Sequence, residues 1–166
     1  MRALSKKIVM MGSFAVGKTS LVRRFVHDAF DDAYLSTLGV KVSKKTVTLS
    51  DARLMMMLWD ISGREGFEHL RASYLKGAGG ALLVADVTRP RTFETIAAEA
   101  RSLHEVAGPV PTVIAVNKSD LVPAVSKAEI DAIAGRLGAP WLPTSALTGD
   151  AVEQAFSMLG RAIVGA

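Results

Sequence analysis

The sequence has no cysteine. That absence removes disulfides, thiol nucleophiles, cysteine-based zinc sites, prenylation and palmitoylation together. Aromatic residues are scarce, at 6% of 166 residues, and none is interleaved with the basic pairs Lys6-Lys7, Arg23-Arg24 and Lys44-Lys45, so a nucleic-acid module is not expected. No apolar run approaches the length that spans a bilayer. Residues Met1 to Lys7 lack the apolar core of a signal peptide, and Arg2 stands where N-myristoylation requires glycine. The final Gly165-Ala166 carries no basic, cysteine-bearing tail. No direct lipid anchor is therefore expected, and recruitment to a membrane would need a protein partner. The net charge of +4 is scattered rather than gathered into a stripe, which reads as a solvated face. A hydrophobic content of 49% is enough for a full core, so the expectation is one cytoplasmic domain over residues 1–166.

What the sequence does have begins at Gly12-Ser13-Phe14-Ala15-Val16-Gly17-Lys18-Thr19. An apolar run, Ile8 to Met11, precedes it, and a helix-like segment, Thr19 to His27, follows. Strand, glycine-bounded loop and helix in this order is what a phosphate-binding loop of the pattern GxxxxGK(S/T) requires. Its glycines let successive backbone N–H groups point into one concavity, and the helix N-terminus adds further donors. Lys18 supplies a compact cation for the outer phosphates, and Thr19 a hydroxyl for Mg²⁺.

The rest of the chain alternates. Ile8–Met11, Ala81–Ala85 and Val113–Val116 are short, almost wholly apolar runs, as in strands buried on both faces. Helical spacing recurs at Phe93, Ile96, Ala97, Ala100 and Leu103, at Ile130, Ile133, Ala134 and Leu137, and from Val152 to Ile163. Ser126 with Glu129 is a capping-box signature, and Gly138 ends that helix. Val40–Leu49 and Leu54–Trp59 read as an antiparallel hairpin joined by Ser50 to Arg53. The Met55-Met56-Met57 run inside it reads as sheet packing, with an adaptable binding surface as the alternative. The predicted fold is α/β: a doubly wound sheet of about six mostly parallel strands, one antiparallel, with helices on both faces. Ligands on such sheets sit at the carboxyl ends of strands.

The remaining motifs fall at strand ends. Asn117-Lys118-Ser119-Asp120 follows Val116. The Asp120 carboxylate can accept from the N1–H and the exocyclic amine of guanine together, whereas adenine has no matching donor pair. An ATP-using kinase on the same loop is disfavoured for that reason. Lys118 can lay its stem along the base. Thr144-Ser145-Ala146 ends a later strand and can face the guanine carbonyl with backbone N–H groups. Asp60 follows Trp59 and can hold Mg²⁺ through water, while Gly63 lets a backbone N–H approach a γ-phosphate. Thr37, in the loop Tyr34 to Gly39, can complete a Mg²⁺ shell when a γ-phosphate is present. Phe30 is placed either against the base or in the core.

These stretches, GSFAVGKTSLVRRF, YLSTLGV, LWDISG, ASYLKGAGGALLVADVT, NKSD and TSA, make the chain resemble a small GTPase of the Ras superfamily, closest in pattern to the Rab branch, from Lys7 to Val164. The resemblance implies a Ras-like P-loop fold and a GTP/GDP switch with Mg²⁺. Nucleotide contacts are implied for Gly12, Ser13, Phe14, Ala15, Val16, Gly17, Lys18, Thr19, Ser20, Phe30, Tyr34, Thr37, Asp60, Gly63, Asn117, Lys118, Asp120, Ser145 and Ala146. Metal contacts are implied for Thr19, Thr37 and Asp60, and the catalytic set is Lys18, Thr37, Gly63 and Arg64. The two switch loops, around Thr37 and from Ile61 to about Tyr74, would meet protein effectors and an exchange or activating factor. Trp59 and Tyr74 fall where the family presents aromatic rings to effectors, or else pack.

Two departures from the family pattern bear on catalysis. Arg64 stands where most members have a glutamine that orients the attacking water, and arginine can only donate. It either leaves hydrolysis very slow, or turns inward as an arginine finger in cis, or faces solvent. Phe14 stands where a small residue is usual, and its ring would obstruct a finger entering in trans. Together Phe14 and Arg64 argue against a conventional activating protein without threatening nucleotide binding. Ser62 replaces the family's usual alanine, and Leu147 replaces the lysine after Ser-Ala, which would weaken packing on the guanine face.

Overall fold

The computed structural model describes residues 1–27, the backbone of 34–35, and residues 40–61 and 72–165. Its strands are β1 (Arg2–Met11), β2 (Tyr34–Leu35), β3 (Val40–Thr48), β4 (Ala52–Ile61), β5 (Gly80–Asp86), β6 (Thr112–Asn117) and β7 (Trp141–Pro143). The helices are α1 (Lys18–Val26), α2 (Arg91–Ala107), α3 (Lys127–Leu137) and α4 (Val152–Gly165), with a further helical turn over residues 72–75.

One sheet carries all seven strands in the order β2-β3-β4-β1-β5-β6-β7. Only β3 opposes its neighbours; β1, β4, β5, β6 and β7 are parallel. The doubly wound α/β sheet with one reversed strand is therefore present. The seventh strand is the two-residue β2, which falls in what the sequence suggested was loop.

β1 starts earlier than its apolar run. Arg2 to Lys7 are mostly exposed, yet they pair in register with Ala52 to Met57. Backbone hydrogen bonds hold this half of the strand, so its side chains do not advertise it. The hairpin turn is tighter than expected: Leu49 N–H donates to Ala52 O at 2.8 Å, and β4 begins at Ala52.

Each face of the sheet has its own core. On one, α1 and α4 cover Ile8, Met10, Leu54, Met56 and Leu58, and Phe25 stacks on Phe156 with centroids 4.0 Å apart. On the other, Phe93, Ile96 and Leu103 of α2 pack with Leu75 against Val9, Leu83 and Val116. Of the methionine run, Met56 is fully buried in the first core, while Met55 and Met57 are half-buried on the opposite face. Ser126 Oγ accepts from Glu129 N–H at 3.2 Å, and Gly138 caps α3 at φ +64°, as the capping signature predicted. The sheet thus brings the ends of β1, β4, β5 and β6 to one edge, where the site lies.

Candidate functional site

β1 ends at Met11 and the chain turns into α1 through the glycine-bounded loop. Gly12 (φ +148°) and Gly17 (φ +106°) adopt backbone angles that L side chains resist. Ala15 takes a left-handed conformation without being glycine, at φ +64°. Gly17 is the N-cap of α1 and provides no side-chain cap, and the first turn holds no acidic residue. The N-terminal N–H groups of α1 therefore lack a side-chain acceptor, the condition for anion binding there. Lys18 Nζ lies over the loop, donating to Gly12 O and, at 3.4 Å, to Ser13 O. Burial lowers its pKa, opposed by the carboxylates of Glu99 and Asp60.

Asp60, at the end of β4, is 1% exposed. Thr19 Oγ1 donates to its Oδ2 at 2.5 Å, so these two side chains, far apart in sequence, share one corner of the loop. Asp60 Oδ1 is buried with no hydrogen-bond partner among the described residues. Burial raises the Asp60 pKa, against the Thr19 bond and the nearby Lys18, Lys41 and Arg23. A buried carboxylate oxygen without a donor, next to a threonine hydroxyl, fits a hard divalent cation with oxygen ligands.

The base-side motifs converge through a hydrogen-bond network. Asn117 Nδ2 donates to Val16 O at 2.9 Å, and its Oδ1 accepts from Thr144 Oγ1 at 3.1 Å and Ala146 N–H at 3.3 Å. Asn117 therefore ties the phosphate loop to the Thr144-Ser145-Ala146 segment. That segment follows β7, which stops at Pro143, rather than ending the strand. Ser145 Oγ donates to Asp120 Oδ1 at 2.7 Å, which fixes the carboxylate's orientation. Lys118 takes φ +66°, and its Nζ donates to Ala15 O at 2.9 Å.

Two adjoining cavities, of about 750 and 780 Å³, run along this edge and share Gly17, Ser20 and Lys118. The first contains Gly12 to Ala15, Lys18 and Thr19. The second contains Asp120, Ala146 and Leu147, and Leu147 is 75% exposed. Phe14, 54% exposed, stands at the mouth of the first.

The structure therefore brings together Gly12 to Ser20, Asp60, Asn117, Lys118, Asp120, Ser145 and Ala146. Phe30, Thr37, Ser62, Gly63 and Arg64 lie outside the described residues, and Tyr34 is described only as backbone. Tyr74 is 3% exposed, and its hydroxyl sits between Met10 O (2.9 Å) and Trp59 O, so it packs. Trp59 is half-buried, with Lys7 Nζ 3.8 Å above its ring.

Sequence reasoning missed Asp86, Arg89, Arg24 and Glu99. Asp86 closes β5 beside Asn117 and pairs with Lys118 at 2.8 Å. A lone carboxylate at the carboxyl end of an apolar strand, as at Asp60, was the available signal. Arg24 holds the segment after Ser145 by donating to Ala146 O and Leu147 O. Glu99 of α2 lines the phosphate-side cavity. No described helix is long and apolar enough to cross a membrane.

A family model described as "Ras family" matches residues 7–165. The chain is 36% identical over 159 residues to Ras-related protein SEC4 of Saccharomyces cerevisiae, covering 95% of this chain and 74% of that protein. It is 34% identical over 161 residues to Ras-related protein Rab-13 of Bos taurus, covering 95% and 79%. It is 39% identical over 159 residues to Ras-related protein RABA6b of Arabidopsis thaliana, covering 93% and 69%.

Proposed function

The chain belongs to the Ras family, with Rab-like relatives, and from that premise we propose that it is a guanine-nucleotide switch. It binds GTP and GDP with Mg²⁺, hydrolyses GTP slowly, and controls protein partners through the segments around Thr37 and from Ile61 to about Tyr74. The observation that carries this reading is Asp120. Ser145 holds its carboxylate at the base-side cavity, and that cavity continues into the phosphate-side cavity at Gly17 and Lys118.

In this reading, Asp120 accepts from guanine N1–H and the exocyclic amine, and Ala146 lines the base cavity. The amides of the loop and of the first turn of α1 bind the phosphates. Lys18, bonded to Gly12 O and Ser13 O, sits where it can neutralise charge on the outer phosphates. Thr19 and Asp60, with Thr37, would hold Mg²⁺, which supplies charge neutralisation across the terminal phosphates. Water attacks the γ-phosphorus in line, and Gly63 N–H supports the γ-phosphate.

Substituting Asp120→Asn tests the base assignment. An amide in place of the carboxylate offers one acceptor where guanine presents two donors, so GDP affinity falls by at least about 100-fold, the scale of an unpaired buried group in a polar site. An Asp120→Asn protein that binds GDP like wild type refutes the assignment.

A second reading is a non-hydrolysing protein that stays loaded with GTP, favoured by Arg64 and by the exposed Phe14 at the cavity mouth. Single-turnover GTP hydrolysis separates the two, with wild type beside Arg64→Ala and Arg64→Gln. Wild-type turnover on the order of 10⁻⁴ s⁻¹ supports the switch. An inert wild type that gains activity on Arg64→Gln supports the loaded protein.

A further inference from the structure

We propose that Asp86, acting through Arg89 and Lys118, is a positioning residue that clamps the phosphate loop and sets how long a nucleotide stays bound. The inference rests on the reading of that loop as a phosphate site.

Asp86 ends β5, a strand buried along its whole length, and is itself 0% exposed. A buried carboxylate is costly without compensation. Here the compensation is specific. Asp86 Oδ1 accepts from Thr88 N–H at 2.8 Å and Thr88 Oγ1 at 2.6 Å. Its Oδ2 lies 2.8 Å from Lys118 Nζ and 3.9 Å from Arg89 Nη1. Each cation reaches onward to the phosphate loop, and to neighbouring residues. Arg89 Nη1 donates to Phe14 O at 3.0 Å, and Lys118 Nζ donates to Ala15 O at 2.9 Å. One buried anion thus seats two cations on consecutive carbonyls of the loop.

The consequence follows from the peptide group. In a planar trans peptide the C=O and the next N–H point in opposite directions. A Phe14 carbonyl held toward Arg89 turns Ala15 N–H away from it. An Ala15 carbonyl held toward Lys118 does the same for Val16 N–H. These donors are thereby aimed away from the clamp, toward the concave side of the loop. Charge-assisted bonds to the carbonyls also polarise the two amides and make them better donors to phosphate. The clamp further accounts for Ala15 at φ +64°. A non-glycine residue there is strained and persists only where its surroundings over-determine it. The carboxylate that tells guanine from adenine is not part of this arrangement, since Asp120 is held separately by Ser145.

The test uses the full chain loaded with N-methylanthraniloyl GDP or the matching non-hydrolysable GTP analogue, in excess Mg²⁺, chased with unlabelled GDP. Asp86→Asn is expected to release both nucleotides about tenfold faster and by the same factor, as loss of a charge-assisted bond predicts. Arg89→Ala gives a smaller acceleration, and Asp86→Asn adds less in the Arg89→Ala background than alone, because both act on one device. Preference for GDP over ADP is unchanged in each variant. Amide NMR of the GDP-bound protein reads the orientation directly: Arg89→Ala moves the Ala15 N–H resonance, while that of Gly138, distant from the site, stays put. Arg89 is an exposed side chain, so its variant keeps the test valid if Asp86→Asn does not fold. Unchanged release from Arg89→Ala with an unmoved Ala15 resonance overturns the clamp, as does an Asp86→Asn protein with wild-type release. A wild type that takes up no GDP overturns the functional reading itself, and the clamp with it.

Discussion

Gly17→Ala is the substitution whose cost can be worked most fully from the structure. Gly17 sits at φ +106°, where an L residue is strained by about 1–2 kcal/mol. A Cβ built there falls inside van der Waals contact with Asn117 Nδ2, a side chain that is 2% exposed. The amide must swing away, breaking its 2.9 Å bond to Val16 O and leaving a buried donor and acceptor short, at about 1–3 kcal/mol. The two terms sum to roughly 2–5 kcal/mol. With a urea m-value of about 2 kcal/mol/M, the unfolding midpoint of the nucleotide-free protein falls by about 1–2.5 M. Gly135→Ala is the matched control. Gly135 lies within α3, is exposed, and meets nothing within 4 Å of an added Cβ, so alanine there stabilises by roughly 0.5–1 kcal/mol. Both variants are read by circular dichroism in urea, then by GDP titration, where Gly17→Ala loses affinity and Gly135→Ala does not. A Gly17→Ala midpoint no lower than that of Gly135→Ala would refute the argument, because it would mean that Asn117 relaxes freely.

Truncating Phe156→Ala removes a fully buried ring stacked on Phe25, and a loss of about 3–5 kcal/mol is expected in the same urea assay. The stability that Asp86 contributes is expected to depend on pH. Burial pushes its carboxyl up, but the bonds from Lys118 and Thr88 outweigh that and hold it below its ordinary 3.8. The difference between wild type and Asp86→Asn should therefore be full above pH 5 and shrink as pH falls through and below 3.8, as the native carboxylate takes up its proton. A gap that widens in acid across a urea–pH matrix would contradict that sign. Removing Mg²⁺ with a chelator should accelerate GDP release from wild type and leave an Asp60→Ala protein unaffected, since the buried Asp60 oxygen is the metal's anchor in this reading.

How much of this was legible beforehand depends on whether side-chain pattern or strand register carried the information. β5 and β6 were plain because their residues are apolar throughout, and α3 was plain because Ser126 and Gly138 mark its ends. The first half of β1 was hidden, since Arg2 to Lys7 form a strand through backbone pairing with β4, and backbone pairing leaves no pattern in the side chains. The phosphate-loop and base motifs could be read because local geometry imposes their spacing. The roles of Asp86 and Arg89 could not. Their work depends on β5 lying beside β6, so that Asp86 meets Lys118, and on the loop after β5 approaching Phe14, neither of which a linear spacing encodes. The left-handed Ala15 was likewise invisible, because alanine carries no hint of it.

The hairpin of β3 and β4 has a practical consequence. Its nine paired rungs run from Val40↔Ile61, at the site edge, to Thr48↔Arg53, beside the turn at Ser50-Asp51. At about 3.3 Å per residue, that turn stands roughly 25–30 Å from the rung that adjoins the site. Asp51 is exposed, and its pairing with Arg2 at 3.9 Å is a surface contact of little energetic weight. Because the chain contains no cysteine, Asp51→Cys would create a single thiol on the whole molecule. A dye or surface tether placed there needs no background mutations and leaves the nucleotide edge facing solution, ready for single-molecule or immobilised-binding measurements.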